Sequence, residues 1–314
     1  EGNLDKAIEY CKKAKEAGAD AVKFQWVNAE LAYEKGTESY QIFKDSYLSF
    51  KEMSAINNEC NKLKIDFFAT PGDMETLYEL AEINNKIVKI SSGLATHRYL
   101  IKEASKLFKN LIISTGTLYL DEIINLNIFL KSLNCDYSLL KCTSQYPSKD
   151  NDINLDAILY LRDKLNINIG YSCHSKDILP SIIASSMGVE IIEKHFSLDT
   201  NRAGFDHAIS INFEKTKELN YFLNRINIIK NWDGKLPSNA EIYLRERMHR
   251  YLYPKRTLKV GYQIDLKDFY FKRSNHKDKS KFISAISSLD IQGLKIIKEC
   301  ESNTPLFKEH IESL

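Results

Sequence analysis

Short apolar segments alternate with helical patterns along most of this chain, and this alternation constrains the fold more than any other feature. Seven segments rich in branched aliphatic residues indicate buried strands, and each is followed by apolar residues at helical spacing. Such an order predicts a parallel sheet with right-handed helical crossovers. The predicted strands cover 19–25, 65–70, 87–93, 111–116, 137–147, 168–174 and 189–196. The predicted helices cover 4–17, 48–63, 74–83, 97–107, 120–132, 154–164, 178–187 and 213–229.

The fold class predicted from this order is α/β, a (β/α)8 TIM-type barrel. Such a barrel needs eight strands, and the simplest interpretation is that the first strand lies upstream of residue 1 and is absent from this chain. An open doubly wound sheet is the alternative, although no GxGxxG motif follows any strand. We assign 1–230 to the barrel, the polar segment 231–250 to a linker, and 251–314 to a small α+β domain with a helix near 279–289.

Composition excludes several function classes. The 314 residues carry 44 Lys+Arg against 42 Asp+Glu, a net charge of +2. This balance lacks the strong positive charge that is typical of proteins that bind nucleic acid or an anionic membrane. No apolar run approaches the roughly 20 residues that span a bilayer, and no signal peptide precedes the polar opening EGNLDK. The six cysteines form no CxxC pair, which favours free thiols in a cytoplasmic protein.

Two histidines follow neighbouring strand-like segments, His174 in NIGYSCHS and His195 in VEIIEKHF. Because the carboxyl ends of parallel strands meet at one mouth, the two imidazoles are placed where they can share a metal ion. A pair of hydrogen-bonded structural histidines is the alternative. Lys23 and Lys89 lie within apolar strands, where a buried ammonium needs an anionic partner.

Lysines and hydroxyls at the same mouth suit phosphate and carboxylate oxygens. Each hydroxyl has a simpler interpretation as a helix cap. The candidate catalytic residues are His174, His195, Tyr146 and Glu193. The candidate substrate-binding residues are Lys23, Gln25, Thr70, Lys89, Ser92, Ser114, Ser144, Ser172, Asp206 and Arg273.

Eight segments in register resemble the N-acetylneuraminate (sialic acid) synthase family. They are ADAVKFQ, FFATP, VKISSG, IISTG, LLKCTSQYP, IGYSCHS, IIEKHFSLD and RAGFDHAIS. The C-terminal part, with TLKVGYQIDLKDFYFKR at 257–273, is similar to that family's antifreeze-like (SAF) domain. The resemblance covers essentially the whole chain, and LLKCTS is similar to pseudaminic and legionaminic acid synthases.

The resemblance implies an enzyme that condenses phosphoenolpyruvate with an open-chain N-acetylated hexosamine to a nine-carbon 2-keto acid and releases phosphate by C–O cleavage. It implies that Lys23 and Thr70 hold the phosphoenolpyruvate carboxylate. The residues implied to hold the phosphate are Lys89, Ser92, Ser114 and Ser172.

The same resemblance implies that His174 and His195 hold a divalent metal, Mn²⁺ with Mg²⁺ or Co²⁺ as alternatives, which polarises the sugar aldehyde. Tyr146, Glu193 and Asp206 would bind the sugar. Arg273 would reach the sugar's N-acetyl end from a partner subunit, so that a domain-swapped homodimer is expected.

Three departures from the family pattern bear on activity. Its first strand carries a glutamate in an AEIGxNHxG-like run, of which this chain is expected to hold only Glu1 and Gly2. Leu94 stands where the family usually has an acid, and Cys173 stands where it has an aspartate. A catalytically impaired sugar-binding relative therefore remains an alternative, as does another metal-dependent aldol-type or lyase barrel.

Overall fold

The computed structural model describes residues 2–84, 86–231, 234 and 236–312. The chain divides into two compact units, Glu1–Asn231 and Trp232–Leu314. No helix among the described residues is long and apolar enough to cross a membrane.

The first unit alternates strands and helices as the sequence predicts, and all seven predicted strands are present. The strands are β1 (Ala21–Trp26), β2 (Asp66–Pro71), β3 (Ile87–Ile90), β4 (Asn110–Ser114), β5 (Asp136–Cys142), β6 (Ile169–Cys173) and β7 (Ile192–Lys194). The helices are α1 (Leu4–Glu16), α2 (Ala29–Ala32), α3 (Glu38–Asp45), α4 (Phe50–Leu63), α5 (Met74–Ile83), α6 (Arg98–Leu107), α7 (Leu120–Lys131), α8 (Asp150–Ile153), α9 (Asp156–Leu165), α10 (Leu179–Ser186) and α11 (Phe213–Ile229). Single 3₁₀ turns occur at Ser92–Leu94 and His207–Ile209.

Local signals in the sequence explain where the helices begin and end. The Asn3 side chain accepts a hydrogen bond from the Lys6 amide at the start of α1, and Gly18, with φ of +90°, follows its end. Ser49 and Glu52 form a reciprocal capping box at the start of α4. These caps fix the helices between the strands and so fix where each strand begins.

The strands are parallel and each neighbours the next one in sequence. β1 pairs with β2, β3 to β7 form one continuous ladder, and β2 lies beside β3. A doubly wound sheet reverses its strand order at a switch point, so that alternative is wrong. The sheet curls: Lys23 on β1 reaches Glu193 on β7, with 3.2 Å between Nζ and Oε1. The arrangement is an α/β fold with a parallel, barrel-type sheet.

Helix packing brings the two ends of the first unit together on the outside of the sheet. The Asn220 side chain on α11 donates to the carbonyl of Ala17, 2.7 Å away, at the end of α1. Tyr10 on α1 packs edge-on against Phe196, which follows β7. The buried core runs between the sheet and the surrounding helices, with Trp26, Met53 and other large side chains fully enclosed.

The second unit is small and has its own core. Its strands β8 (Tyr251–Pro254) and β9 (Phe269–Lys272) pair antiparallel with each other, and isolated bridges such as Leu258 to Cys300 connect other segments of the unit. The predicted helix near 279–289 is wrong, because only a 3₁₀ turn at Ala285–Ser287 forms there. The core residues are Leu252, Leu258, Ile264, Phe269, Ile283, Ile291, Ile296, Cys300, Leu306 and Ile311.

The polar segment interpreted as a linker contains a helix, α12 (Asn239–Met248). Ser238 caps it and Glu241 completes a capping box, a signal that the polar composition of the segment hid. The unit boundary falls between 231 and 232, inside the segment 231–250.

Close packing of β6 against its neighbours gives the first prediction. A Cβ added at Gly170 would lie 2.2 Å from Leu140 Cδ2 and 3.0 Å from the Ile191 carbonyl oxygen. Gly170→Ala should therefore lower the free energy of unfolding by about 1–3 kcal/mol in urea titrations. Gly93→Ala is the matched control, since no atom lies within 4 Å of its added Cβ. Equal stability of the two variants would contradict this packing.

Candidate functional site

The carboxyl ends of the strands carry nearly all of the predicted site residues of the first unit. Because the strands are parallel and the sheet curls, side chains from β1, β3, β4, β6 and β7 meet at one mouth. The residues whose contacts with one another define the site are Lys23, Lys89, Ser92, Ser114, Ser144, Tyr146, Ser172, His174, Glu193, His195 and Asp206.

Two lysines and one glutamate form the charged centre of this mouth. Glu193 Oε1 lies 3.2 Å from Lys23 Nζ, and Glu193 Oε2 lies 3.6 Å from Lys89 Nζ. Only 2% of the Lys89 side chain is exposed. Burial lowers the pKa of Lys89 to about 8, partly offset by Glu193. Burial raises the pKa of Glu193, but Lys23 and Lys89 outweigh it and bring that pKa to about 2.

Hydroxyl groups surround the buried ammonium of Lys89. It donates to Ser114 Oγ at 2.7 Å, and Ser172 Oγ donates to Glu193 Oε1 at 3.4 Å. Ser92 Oγ accepts from the Gly116 amide at 3.0 Å, and its hydroxyl is hydrogen-bonded to Cys142. A Cβ added at Gly116 would lie 2.2 Å from Ser144 Oγ, so a side chain there would displace that serine. These donors suit an anion with several oxygens.

The two predicted histidines lie side by side, with ring centroids 5.2 Å apart. His174 Nδ1 lies 2.7 Å from the Thr143 carbonyl oxygen. A carbonyl only accepts, so Nδ1 carries a proton and Nε2 is the nitrogen that faces the mouth when the ring is deprotonated. Burial lowers the pKa of His174, but Cys142, the Thr143 carbonyl and Glu193 outweigh it, and the net shift of that pKa is upward. His195 Nδ1 lies 3.5 Å from Asp206 Oδ2. Burial, Lys23 and His174 lower the pKa of His195 to about 3, which keeps its imidazole neutral.

Tyr146 covers the histidine pair from the solvent side. Its ring centroid lies 4.2 Å from that of His174, and its ring meets His195 edge-on at 6.1 Å. Burial raises the pKa of Tyr146 to about 12, with Cys142, Asp206 and Glu193 adding to the shift. The phenol therefore stays protonated at neutral pH and can donate a hydrogen bond.

Cys142 is a site residue that the sequence analysis missed. Its Sγ lies 3.8 Å from His174 Nδ1 and 4.0 Å from Ser144 Oγ. Burial raises the pKa of the Cys142 thiol. Contacts with His174, Ser92 and Ser172 lower that pKa by more than burial raises it, so the net shift is downward. Its position at the last residue of β5, inside LLKCTSQYP, was the signal that could have identified it.

The remaining residues singled out in the sequence are Thr70, Gln25, Arg273 and Cys173. Thr70, paired in register with Gln25, has a buried Oγ1 that finds no hydrogen-bond partner among the described residues. Gln25 itself is exposed. Arg273 follows β9 in the second unit and is exposed, so its part in the site stays a prediction. Cys173 is fully buried.

The donor set at the histidines is compatible with a divalent metal. Two imidazoles that bind through Nε2 are borderline-soft ligands, and the Thr143 carbonyl orients one of them as outer partners do in metal sites. In the described part of the chain, no three or more His, Cys, Asp and Glu side chains are grouped to hold a metal ion. A metal at this pair would therefore need further ligands from substrate and water.

The low pKa of Glu193 gives a prediction about acid stability. A carboxylate whose pKa falls from 4.5 to about 2 on folding stabilises the protein above pH 4.5 and loses that effect as the pH drops toward 2. Glu193→Gln should lower the free energy of unfolding by about 3–5 kcal/mol at pH 7. The gap to wild type should shrink in urea titrations at pH 4.5 and 3.5.

The control is Glu214→Gln on the exposed surface of α11, which should not change stability at any of these pH values by more than about 0.5 kcal/mol. A gap for Glu193→Gln that stays constant from pH 7 to 3.5 would rule out the ion pair as its source.

Comparison with known proteins agrees with this site. The NeuB family model matches residues 10–235. The N,N'-diacetyllegionaminic acid synthase of Legionella pneumophila is 31% identical over 331 residues, covering 99% of this chain and 92% of that protein. The N-acetylneuraminic acid (sialic acid) synthetase of Leptospira borgpetersenii, solved with citrate, shares 32% identity at a TM-score of 0.73 and covers 78% of this chain and 87% of its own.

A spore coat polysaccharide biosynthesis protein E from Chromobacterium violaceum shares the fold over 99% of this chain and 96% of its own, with a TM-score of 0.85 and 19% identity. The family resemblance predicted from the sequence is confirmed by the match over most of the chain and by the similarity to curated relatives. This chain belongs to the NeuB family.

Proposed function

We propose that this protein is a nonulosonic (sialic-type) acid synthase, which condenses phosphoenolpyruvate with an open-chain N-acetylated hexosamine and releases phosphate. The observation that carries the proposal is the adjacency, in one mouth, of a buried lysine–hydroxyl cluster and a pair of imidazoles. The first suits a phosphorylated acid and the second suits a carbonyl substrate. Relatives named as synthases of legionaminic, pseudaminic and N-acetylneuraminic acids support it.

Phosphoenolpyruvate would bind at the lysine–hydroxyl cluster. Lys89 and Ser114 already share a hydrogen bond of 2.7 Å and would turn their remaining donors to the phosphate, with Ser92 and Ser172. Lys23 and the partnerless hydroxyl of Thr70 would hold the carboxylate. A phosphate dianion at Lys89 would also keep that lysine charged, because a nearby anion raises its pKa.

Nε2 of His174 and of His195 would hold a divalent metal, Mn²⁺ with Mg²⁺ or Co²⁺ as alternatives. When bound, such a metal supplies a Lewis acid that polarises the sugar aldehyde. Tyr146, as a protonated phenol, would donate to the sugar, and Asp206 would accept from a sugar hydroxyl.

C3 of phosphoenolpyruvate attacks the aldehyde carbon, which leaves an alkoxide on that carbon and a cationic C2. Water adds to C2, and the proton it loses passes to the alkoxide. The C2–O bond to phosphate then breaks, the C2 hydroxyl becomes the ketone, and its proton leaves with the phosphate. Glu193, with a pKa of about 2, remains a carboxylate throughout and is too weakly basic to take a proton readily. Its part is to hold Lys23 and Lys89 at the substrate and to stabilise positive charge at C2.

Four finer features belong to the same proposal. A strand upstream of residue 1, bearing the family's glutamate, would complete a (β/α)8 barrel. The second unit would be an SAF domain. It would bring Arg273 to the site of a partner subunit in a domain-swapped homodimer. A cytoplasmic location would keep the free cysteines reduced.

Phosphate release tests the reaction directly. Phosphoenolpyruvate, Mn²⁺ and a panel of N-acetylmannosamine, its 6-phosphate and diacetamido-dideoxy hexoses should give sugar-dependent phosphate, measured colorimetrically. His195→Ala should lower the rate about 100-fold or more, since it removes one of two protein ligands. His276→Ala, in the second unit, is the control.

Full activity of His195→Ala after treatment with a chelator would overturn the metal assignment. Absence of phosphate release with every sugar, from folded protein that is also supplied with the upstream strand, would favour a sugar-binding relative that has lost catalysis. Leu94 and Cys173, which depart from the family pattern, are the observations that favour this second candidate.

Arg273→Ala should raise the KM for the sugar about 10-fold or more while the KM for phosphoenolpyruvate changes less than twofold, because one charge-assisted hydrogen bond to the N-acetyl end is lost. Arg256→Ala is the matched control: it removes another exposed arginine of the same unit, one paired with Asp268 at 3.0 Å. Equal changes in both KM values for Arg273→Ala would argue against its assigned role.

A further inference from the structure

Two lysines lie on the outer face of the sheet, directly behind the histidine pair. Lys194 stands between Glu193 and His195 on β7, and Lys141 precedes Cys142 on β5. Alternate residues of a strand face opposite sides, so these two side chains leave the mouth and point toward the surrounding helices and loops. Both flank β6: Lys194 pairs in register with Cys173 and Lys141 with Tyr171.

Lys141 ties down the loop that carries Tyr146. Its ammonium donates to Thr143 Oγ1 at 2.6 Å and to the carbonyl of Ile153, the last residue of α8. Thr143 Oγ1 in turn donates to the Asp152 carbonyl at 3.2 Å. The Thr143 carbonyl is the group that holds the Nδ1 proton of His174. Lys141 is thus two hydrogen bonds away from the imidazole.

Lys194 joins two other loops. Its ammonium donates to the carbonyl of Ser175, the residue after His174, and to that of Ile209 at 3.3 Å. Ile209 ends the 3₁₀ turn that follows Asp206. One side chain therefore sets the spacing between the loop of His174 and the loop of Asp206.

Neither ammonium has a carboxylate within ion-pair distance among residues 2–84, 86–231, 234 and 236–312, and 8% of Lys141 is exposed. Burying a charge against neutral oxygens is costly, and a Met or Leu at these positions would fill the same volume with less desolvation. What the two lysines add is fixed geometry, since each ammonium bonds groups from two segments at once.

We propose that Lys141 and Lys194 are positioning residues of the synthase site, which hold from behind the loops that carry Tyr146, His174 and Asp206. The inference rests on the proposed function for its catalytic consequence. Its structural part, the fixed orientation of His174, does not depend on turnover and is tested separately.

The first test is the ring ¹⁵N–¹H spectrum of metal-free protein with labelled histidine, in which the His174 Nδ1–H signal is assigned by its loss in His174→Asn. Wild type should show this signal, because the proton is held by the Thr143 carbonyl. Lys141→Met and Lys194→Met should broaden it through exchange with water, and Lys194→Arg should restore it. If either Met variant fails to fold, Lys194→Gln and Lys141→Gln take its place.

Lys131→Met is the matched control. Lys131 also donates to a main-chain carbonyl, that of Leu165 at 3.2 Å, but at the opposite end of β6. It should leave the His174 signal unchanged. An unchanged signal in folded Lys141→Met and Lys194→Met would overturn the proposal, as would the same broadening in Lys131→Met.

The second test is steady-state kinetics with Mn²⁺. Lys194→Met should lower kcat about 10- to 100-fold and leave the KM for phosphoenolpyruvate within twofold, because the Lys194 ammonium bonds the Ser175 and Ile209 carbonyls and none of the groups assigned to that substrate. A purely structural role would lower the melting temperature without this split, which would overturn the catalytic part. If wild type turns over no sugar while the histidine signals behave as expected, the proposed function fails and the positioning of His174 stands.

Discussion

The ion pairs of Glu193 with Lys23 and Lys89 are the interaction on which the rest of the site depends. The pair with Lys23 joins β1 to β7 across the interior of the sheet, and the pair with Lys89 joins β3 to β7. Burying an ammonium such as Lys89 is costly, and a carboxylate beside it offsets part of that cost, so Glu193 stabilises the charged centre before any substrate arrives. The carboxylate also holds the Lys23 and Lys89 ammonium groups close together, where a dianionic substrate can bind both.

The mouth divides into two chemically distinct halves because successive strands contribute different donors. Lys89 and Ser114, from β3 and β4, give protons to oxygen, whereas His174 and His195, from β6 and β7, present lone pairs. Glu193 lies on the same strand as His195 and reaches the lysines of the other half. A phosphorylated acid bound at the lysines and a carbonyl compound bound at the histidines would therefore meet beside the Glu193 carboxylate.

Much of this arrangement could be predicted from the sequence, since strand alternation and the parallel order bring the strand ends to one mouth. The missed features have physical reasons. Cys142 lies in a run whose apolar residues occupy both faces, so periodicity does not reveal that its thiol faces the mouth. The short helices α2 and α3 lack a long apolar stripe, and the predicted helix near 279–289 formed a single turn in a unit whose core is built from bridges.

Cys173 shows how the outer face and the mouth are linked. The resemblance places an aspartate at this position, and the register places it beside Lys194 and two residues along β6 from Tyr171, the partner of Lys141. In this chain the position holds a fully buried cysteine, and the two lysines bond the carbonyls of Ser175, Ile209 and Ile153. Hydrogen bonds from the outer face therefore reach the loops that carry the side chains of the mouth.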